Sequence, residues 1–303
     1  MSLSVIITTH DRRDDLAATL DALARLEPAP DEVLVCLDGC KDGSAEMLRT
    51  RHPTVRVLAN PHRTGSIPSR DRLIRTAAGD LVLSLDDDSY PLGTDFVRKV
   101  DDLFTQDTGL AVLWFPQRSD EFPDSLRQTE FGPDCFTGTY SSSGAVLRRS
   151  VYLSLHGYFA PFVHAYEEPD FSLRCIAAGW QVRLNTGLVV RHRYSGRNRN
   201  ENRTHRLHAR NEQWSIWLRC PWPWWPLISL RRIAGQAAYA VRRGPAWIVR
   251  EPLWWGRALG GFTRIWPQRS PVPWRHYRRW LRLLKHPEPF PDGSPSDSIG
   301  GAP

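Results

Sequence analysis

Three consecutive carboxylates, Asp86, Asp87 and Asp88, follow the apolar segment of residues 81–85. Like charges in a row repel one another, and carboxylate oxygens are ligands that hard divalent cations such as Mg²⁺ and Mn²⁺ prefer. In an open α/β sheet, ligands bind at the carboxyl ends of the strands. The pattern favours a metal site at this position. An acidic turn that caps the following helix is the alternative.

A second acidic group, Glu167, Glu168 and Asp170, precedes a segment with helical periodicity. A carboxylate near a reacting hydroxyl can act as a general base. Acids at the start of a helix also interact favourably with the helix dipole, which is the structural alternative for these residues.

The elements that must position these acids alternate between two periods. Apolar, β-branched runs predict strands, and apolar residues at helical spacing predict helices between them. We expect strands over residues 4–9, 33–37, 55–58 and 81–85, and helices over residues 11–26, 44–51 and 66–78. This alternation predicts a Rossmann-like α/β domain with a mostly parallel central sheet and right-handed crossovers. Neither GxGxxG nor GxxxxGK[ST] follows a strand, so a dinucleotide-binding or P-loop site is excluded.

Charge divides the chain into two regions. Residues 1–190 hold 19 Lys and Arg against 27 Asp and Glu, whereas residues 191–287 hold 21 against 3. All but two of the 13 tryptophans lie beyond residue 200. We therefore predict a catalytic domain over residues 1–195, a basic Trp-rich helical region over 196–285 and a disordered tail over 286–303, which is rich in Pro, Gly and Ser.

The basic Trp-rich region has three interpretations. Trp favours the headgroup level of a bilayer and Arg is drawn to anionic lipids, which favours in-plane attachment to a membrane surface. A helical subdomain with the tryptophans in its core is the second interpretation. A nucleic-acid surface that combines phosphate contacts with base stacking is the least favoured.

The cysteines and the N-terminus bear on the compartment. Five scattered cysteines without zinc-like spacing indicate free thiols in a reducing environment. The N-terminal apolar run has no basic stretch before it, and no apolar run approaches the length that spans a bilayer. We expect a cytoplasmic protein, peripheral on the inner face of the cell membrane if the attachment interpretation holds.

Seven segments, in order, carry a resemblance that spans about residues 2–195. They are residues 4–12 (SVIITTHDR), 35–44 (VCLDGCKDGS), 65–71 (GSIPSRD), 84–88 (SLDDD), 143–158 (SGAVLRRSVYLSLHGY), 166–180 (YEEPDFSLRCIAAGW) and 189–192 (VVRH). With these segments the chain resembles the bacterial-type, family-two inverting glycosyltransferases of GT-A fold.

The resemblance implies a donor site. It places Thr8, Thr9 and Asp11 at the pocket for the nucleotide base and Asp38 at the pyrimidine ring, although Asp38 before a glycine also suits a turn. Arg70 is expected to contact the donor. The family's Asn after this arginine is Asp71 here, which leaves the role of that position open.

The resemblance also implies a metal site of the aspartate-any-aspartate type. Asp88 is the expected direct ligand, Asp86 and Asp87 are expected at the ribose or a metal-bound water, with Asp86 also counted among the ligands, and His192 completes the coordination. The implied cofactor is Mg²⁺ or Mn²⁺. A histidine flanked by arginines is otherwise an ordinary surface residue.

The general base of the resembled family corresponds to Glu168, with Asp170 in reserve; the family has Asp where Glu168 stands. The acceptor is expected at the aromatic segment of residues 114–142. Arg197 or Arg199 is expected at the donor diphosphate.

These inferences predict a metal-dependent inverting glycosyltransferase. It would use a UDP-, dTDP- or GDP-linked sugar and a glycan, lipid-linked or other hydroxyl acceptor, beside an anionic membrane surface. The alternatives are a catalytically inert sugar-nucleotide or glycan-binding protein, and a nucleic-acid-binding protein that acts through the basic half.

Overall fold

A computed structural model describes residues 1–194 and 201–291. The N-terminal part alternates strands and helices as predicted. The first elements are β1 (Leu3–Thr9), α1 (Arg13–Leu23), β2 (Glu32–Asp38), α2 (Ser44–Arg51), β3 (Arg56–Asn60), α3 (Ser66–Thr76), β4 (Leu81–Asp86), β5 (Ser89–Leu92) and α4 (Phe96–Gln106). All four predicted strands and all three predicted helices of this part are confirmed, with shifted ends.

The middle of the chain is less regular. Its elements are β6 (Leu110–Trp114), β7 (Gln117–Ser119), β8 (Cys135–Phe136), β9 (Ala145–Arg148), α5 (Arg149–Ser154), α6 (Glu167–Ala177), β10 (Gln181–Leu184) and β11 (Val189–His192), with 3₁₀ turns at Pro123–Leu126 and Ala160–Phe162.

The C-terminal part is helical. It contains α7 (Glu201–Arg219), α8 (Trp224–Arg243), α9 (Pro245–Ile248), α10 (Glu251–Gly260), α11 (Phe262–Ile265), a 3₁₀ turn at Trp266–Gln268, α12 (Trp274–Leu283) and the short strand β12 (Glu288–Pro289). None of the helices in residues 1–194 and 201–291 combines the length and the apolar character that crossing a bilayer requires.

Within the described residues the strands form two sheets. The larger has nine strands in the order β12-β8-β10-β6-β9-β4-β1-β2-β3, and the smaller has the order β5-β11-β7. The half built from β3, β2, β1 and β4 is parallel, whereas β9 runs antiparallel to both β4 and β6. The predicted Rossmann-like α/β domain is confirmed, with a central sheet that combines parallel and antiparallel strand pairs.

Two apolar clusters cover the two faces of the large sheet. Because strand residues alternate between faces, Val5 and Ile7 of β1 belong to one cluster while Ile6 belongs to the other. The cluster on the Ile6 face also contains buried side chains of the C-terminal helices, including Trp214, Trp217, Trp254 and Trp280. These four tryptophans are core residues, as the helical-subdomain interpretation predicted for them.

The tail differs from its prediction. Glu288 and Pro289 pair with β8 at the edge of the large sheet, and the Phe290 ring packs against Phe136 with ring centroids 5.3 Å apart. The Arg183 guanidinium lies 4.3 Å from the same Phe290 ring. Residues 286–291 are therefore ordered, because apolar and cationic partners from distant parts of the chain hold this proline-rich segment. The rest of the predicted tail lies outside the described residues.

Candidate active site

The three consecutive aspartates lie where β4 ends and turns into β5. Asp86 is the last residue of β4, and the side chains of Asp87 and Asp88 are buried, 4% and 0% exposed. The carboxyl ends of β1, β2 and β4 meet at the same edge of the sheet, so this turn faces the ends of the neighbouring strands.

Two arginines offset part of this negative charge. Arg70 of α3 donates from Nη2 to Asp86 Oδ1 at 2.6 Å, and Arg12 donates from Nη1 to Asp87 Oδ1 at 2.7 Å and to Asp88 Oδ2 at 3.1 Å. Thr9 Oγ1 donates to Asp87 Oδ2 at 2.7 Å. Burial nevertheless raises the pKa of Asp87 to about 7, since the desolvation of its carboxylate outweighs the attraction of Arg12.

His192, at the end of β11, faces Asp88. Its Nε2 lies 3.2 Å from Asp88 Oδ1, and its Nδ1 lies 3.0 Å from Gln117 Oε1. The Gln117 amide nitrogen donates to Ser141 and Ser143, which fixes the amide oxygen toward the histidine. Nδ1 must therefore donate, and Nε2 points at a carboxylate oxygen. This orientation leaves the Nε2 lone pair directed at the Asp88 carboxylate, where a cation could be held between the two atoms.

The ligand atoms of Asp86, Asp88 and His192 all lie within 4.8 Å of one another. A histidine that donates Nδ1–H to an acceptor and turns Nε2 toward carboxylates has the tautomer and the orientation of a metal ligand. Carboxylates are ligands that suit Mg²⁺ and Mn²⁺, and imidazole is a common ligand of divalent transition metals. The predicted metal-binding residues thus fit a divalent cation in this structure.

Two connected cavities open at this edge of the sheet. The larger, about 810 Å³, is lined by the predicted donor residues Thr8, Thr9, Asp38, Asp86 and Asp87. The smaller, about 430 Å³, is lined by Arg70, Glu168 and His192. Both share Asp86 and His164, so the acidic segment stands between a donor-sized space and the candidate base.

Asp38 holds a loop at the rim of the larger cavity. Its Oδ1 accepts hydrogen bonds from Asn60 and from the backbone and hydroxyl of Thr64, and its Oδ2 accepts from the Gly65 N–H at 2.8 Å. Burial alone would raise the pKa of Asp38, but these hydrogen bonds outweigh it and place the pKa below the ordinary value of 3.8. Asp38 therefore positions the loop, and Oδ2 keeps room for one more donor.

Gly65 is required by a close approach. Its φ is 111°, and a Cβ at this position would lie 2.5 Å from the carbonyl oxygen of Val163. Val163 itself has a φ of 66°, a rare value for a β-branched residue. The segment is held by Asn211 of α7, whose amide donates to the carbonyl oxygens of Phe162, His164 and Ala165. This part of the cavity wall is therefore fixed from the C-terminal region.

Glu167 and Glu168 differ in environment although they are neighbours. Glu167 is buried 3.5 Å from Arg70, whereas Glu168 is partly exposed and lines the smaller cavity. Burial and the neighbouring Glu168 carboxylate raise the pKa of Glu167 well above its ordinary value. Two adjacent carboxyl groups cannot both ionise at low cost, so the raised pKa favours the protonated form of the buried Glu167.

Two predicted site residues lie elsewhere. Asp170 is fully buried, and its carboxylate accepts from Ser215, Arg219 and Arg174, which hold its pKa below the ordinary value although burial alone would raise it. It lines neither cavity, so a reserve base at Asp170 is not supported. Asp11 also lines neither cavity; its carboxylate accepts from the backbone N–H of Lys41.

The departure at position 71 has a structural explanation. Asp71 accepts from the Tyr152 hydroxyl at 2.7 Å and from Arg75 Nε at 2.8 Å, and it lines neither cavity. Its charge is therefore compensated away from the donor space.

The segment of residues 114–142 contributes Thr139, Tyr140, Ser141 and Ser142 to the smaller cavity and Glu121 to the larger one. Of its aromatic side chains, Tyr140 lines the smaller cavity, and its hydroxyl bonds that of Tyr158 at 2.7 Å. Phe115 is buried in the core, and Phe122 is exposed on the far side of a turn. Arg197 and Arg199 lie outside the described residues.

Several residues that line the larger cavity were not predicted from the sequence. Arg12 belongs to the first resembled segment, but its pairing with the aspartates depends on the path of the chain after β1. His205, His208, Tyr239 and Trp247 come from helices beyond the resemblance. Their aromatic and basic composition was visible in the sequence, but its orientation toward the cavity was not.

Comparison with known proteins agrees with this geometry. The model of the family described as Glycosyl transferase family 2 matches residues 4–168. The uncharacterized glycosyltransferase YwdF of Bacillus subtilis (strain 168) is 23% identical over 224 residues, which cover 71% of this chain and 81% of that protein.

Solved structures share the fold. The mannosyltransferase PcManGT from Pyrobaculum calidifontis, in complex with GDP-Man and Mn²⁺, aligns with a TM-score of 0.58 and 17% identity over 93% of this chain and 85% of its own. Residues 1–349 of S. aureus TarS, in complex with UDP-GlcNAc, align with a TM-score of 0.55 and 14% identity over 94% and 82%. At these identities the likeness shows a shared GT-A fold.

Replacing Asp38 with Asn should destabilise the protein in a pH-dependent way. The amide nitrogen would face a backbone N–H in place of an acceptor, so we expect a loss of about 1–3 kcal/mol at pH 7. Because the folded pKa is lowered, the stabilisation by Asp38 is present above the unfolded value of 3.8 and disappears as the pH falls through the folded pKa.

Urea unfolding of both proteins from pH 7 down to pH 3 measures this difference. The gap between wild type and Asp38→Asn should narrow below about pH 4. A gap that is constant with pH would show that the Asp38 carboxylate does not hold the loop by charge-assisted hydrogen bonds.

Proposed function

The chain belongs to glycosyl transferase family 2, and from this we propose that it transfers a sugar, with inversion, from a nucleoside-diphosphate donor to a hydroxyl acceptor. The observation that carries the proposal is the convergence of Asp86, Asp88 and His192, of which Asp86 lines both cavities, His192 lines the smaller one and Asp88 lies buried behind them. The complexes of the two solved neighbours, with GDP-Man and Mn²⁺ and with UDP-GlcNAc, support a donor of this class.

Asp86, Asp88 and His192 would hold Mn²⁺ or Mg²⁺. When bound, such a cation stabilises the negative charge that develops on the departing diphosphate, as a Lewis acid and without proton transfer. Arg70 lies beside Asp86 and is fixed in place by Asp86 and Glu167, so its guanidinium adds positive charge at the same place. Thr8, Thr9 and the loop held by Asp38 line the space for the nucleoside.

Glu168 is the proposed general base. In the reaction the acceptor oxygen bonds to the anomeric carbon from the face opposite the diphosphate. The bond from that carbon to the diphosphate oxygen breaks, and the electron pair leaves with the diphosphate. The hydroxyl proton passes to the carboxylate of Glu168, which lines the smaller cavity.

A membrane surface is the proposed environment of the acceptor. Leu227, Leu230 and Val241 are 61–65% exposed and occupy one face of α8, and Val249 and Leu253 continue the exposed apolar surface beyond it. The 18 excess positive charges of residues 191–287 (21 basic minus 3 acidic) complement anionic lipid headgroups. This surface would place the protein on the inner face of the cell membrane.

Donor binding should depend on the metal and on Asp88. Removal of even an outer partner of a metal site commonly costs about 10- to 100-fold in affinity, so we expect at least that loss of nucleotide-sugar affinity in Asp88→Asn and in chelator. Calorimetric titration with UDP-, GDP- and dTDP-sugars, with Mn²⁺, Mg²⁺ or EDTA, measures it.

Asp124→Asn, which changes an exposed acid on a 3₁₀ turn, is the matched control and should bind donor normally. A thermal melt of each variant checks that the fold is retained. Donor affinity that is insensitive to EDTA and to Asp88→Asn would contradict the metal site, and absence of nucleotide-sugar binding in wild type would contradict the proposed function.

Glu168→Gln should abolish turnover while Glu167→Gln preserves it. Loss of a general base typically costs about 10²–10⁴-fold in rate, whereas Gln is a close mimic of the protonated Glu167. Release of nucleoside diphosphate from the bound donor, with water as acceptor, measures both variants beside their donor affinity. Equal losses of turnover in the two variants would contradict the assignment of Glu168, and not Glu167, as the base. Donor binding without turnover in wild type would indicate an inert binding protein.

Leu230→Glu should weaken binding to anionic vesicles. Burial of one Leu side chain contributes about 1.5–3 kcal/mol, so replacing it with a charge should reduce vesicle partitioning about tenfold or more. Co-sedimentation with phosphatidylglycerol-containing vesicles measures this loss. Leu126→Glu is the control, because it changes an exposed leucine on the 3₁₀ turn Pro123–Leu126, which is not part of α8. Wild-type protein that ignores vesicles but binds RNA or DNA with steep salt dependence would favour the nucleic-acid alternative.

A further inference from the structure

A second wall of the larger cavity comes from helices beyond the segment that the family model matches. His205 on α7, Tyr239 and Arg243 on α8, and Trp247 on α9 line the same cavity as Thr8, Asp38 and Asp86. We call these four residues the aromatic–arginine wall. The residues of the proposed donor and base sites leave this wall without a role.

Buried hydrogen bonds orient the wall. His205 Nε2 lies 2.9 Å from Glu251 Oε1, and Glu251 Oε2 accepts from Trp254 Nε1 at 2.7 Å. Glu251 is 5% exposed, and a carboxylate that only accepts requires the proton on His205 Nε2. The His205 ring therefore has a fixed orientation before any ligand arrives.

The rings pack on this fixed histidine. His205 and Tyr239 stack with centroids 5.2 Å apart and planes 22° apart. The Trp247 ring meets His205 and Tyr239 edge-on, with centroids 5.3 and 5.8 Å away. The result is a rigid aromatic surface, the kind of surface that packs against a sugar ring or a hydrocarbon chain.

Arg243 lies over these rings with an exchangeable partner. Its guanidinium is 5.6 Å from the Tyr239 ring centroid and 5.0 Å from that of Trp247, and it pairs with Glu201 at 3.1 Å. The side chains of Arg243 and Glu201 are 45% and 74% exposed, and ion pairs this exposed are weak. A ligand anion can therefore replace Glu201, and a guanidinium binds phosphate through two parallel hydrogen bonds.

Two further arginines add positive charge to the same cavity. Arg63 and Arg203 also line it, and burial together with the neighbouring Arg63 lowers the pKa of Arg203. Among the described residues, Arg63 makes no ion pair that would neutralise it. Several guanidiniums that approach one another suit a ligand with more than one negative charge, such as a phosphate group.

Exposed apolar side chains follow the wall along the chain. Ile248 and Val249 come directly after Trp247 and are 45% and 73% exposed.

We propose that the aromatic–arginine wall binds the acceptor, and that the acceptor carries a phosphate group. Arg243 takes the phosphate, while Tyr239 and Trp247 pack against the sugar ring or the lipid chain that bears it. This inference rests on the proposed glycosyl transfer, since it gives the wall the acceptor half of a cavity whose other half would hold the donor.

The test uses the full chain labelled with 5-fluorotryptophan and observed by ¹⁹F NMR, with Trp247→Phe to assign the Trp247 resonance. The probes are octyl phosphate for a lipid-borne phosphate, glucose 1-phosphate for a soluble sugar phosphate, and octyl glucoside as an uncharged control. We expect a phosphate ester, and not octyl glucoside, to shift the Trp247 resonance. Arg243→Gln should weaken that binding about tenfold or more, and Arg242→Gln, an exposed neighbour that lines neither cavity, should leave it unchanged.

The two phosphate esters distinguish the sources. Tighter binding of octyl phosphate would assign the phosphate to a lipid carrier, and tighter binding of glucose 1-phosphate would assign it to a soluble sugar phosphate. Absence of any phosphate-dependent shift, or an equal affinity in wild type and Arg243→Gln, would overturn the proposal. A loss of nucleotide-sugar affinity in Arg243→Gln would also overturn it, because the wall would then belong to the donor site. Because these titrations contain no nucleotide sugar and no metal, their result is independent of whether the donor proposal holds.

Discussion

A buried guanidinium joins the two halves of the site. Arg70 is 3% exposed, and the removal of its charge from water is offset by the Asp86 carboxylate at 2.6 Å, while the Glu167 carboxyl group lies 3.5 Å away on the other side. These three residues belong to α3, to the end of β4 and to the start of α6. An ion pair of this kind is weak support for stability, but removing Asp86 would leave the buried guanidinium without its nearest carboxylate. Arg70 therefore links the acidic strand end to the start of the candidate base helix.

The surroundings give each carboxyl group of the site a different proton affinity. Hydrogen bonds from the loop lower the pKa of Asp38, burial raises that of Asp87, and burial beside another acid raises that of Glu167. Glu168 is less buried and lines the smaller cavity. The site thus separates groups that carry charge from groups that only donate or accept hydrogen bonds, although all are the same two residue types. Sequence spacing cannot make this separation, because it depends on what is packed around each oxygen.

The sequence predicted what is local or repeated in pattern. Strand–helix alternation located β1 to β4, and the three aspartates after β4 indicated the metal-binding segment that the structure places beside His192. The failures share a cause in long-range packing. Asp170 has the residue type and the sequence position of a catalytic acid. Ser215 and Arg219, more than forty residues away in the chain, hold its carboxylate by hydrogen bonds in the protein interior, away from the cavity. The segment around Phe290 has the composition of a disordered tail, yet Phe136 and Arg183 order it.

The tryptophans of the C-terminal region serve two different structural roles that their number alone does not distinguish. Trp254 and Trp280 are buried beneath the helices, whereas Trp222 is 73% exposed, so one compositional signal described both a core and a surface. At the candidate site, side chains of the C-terminal helical region and of the predicted catalytic domain are in direct contact. Asn211 of α7 holds the loop at Val163, and Arg219 of the same helix compensates Asp170 at the start of α6. Since α6 presents Glu168 and the loop lines the cavity, the C-terminal helices help to set the geometry of the candidate site that the N-terminal sheet begins. A change in these helices would therefore alter the proposed acceptor wall and the placement of the candidate base together, without touching the residues that the family pattern identifies.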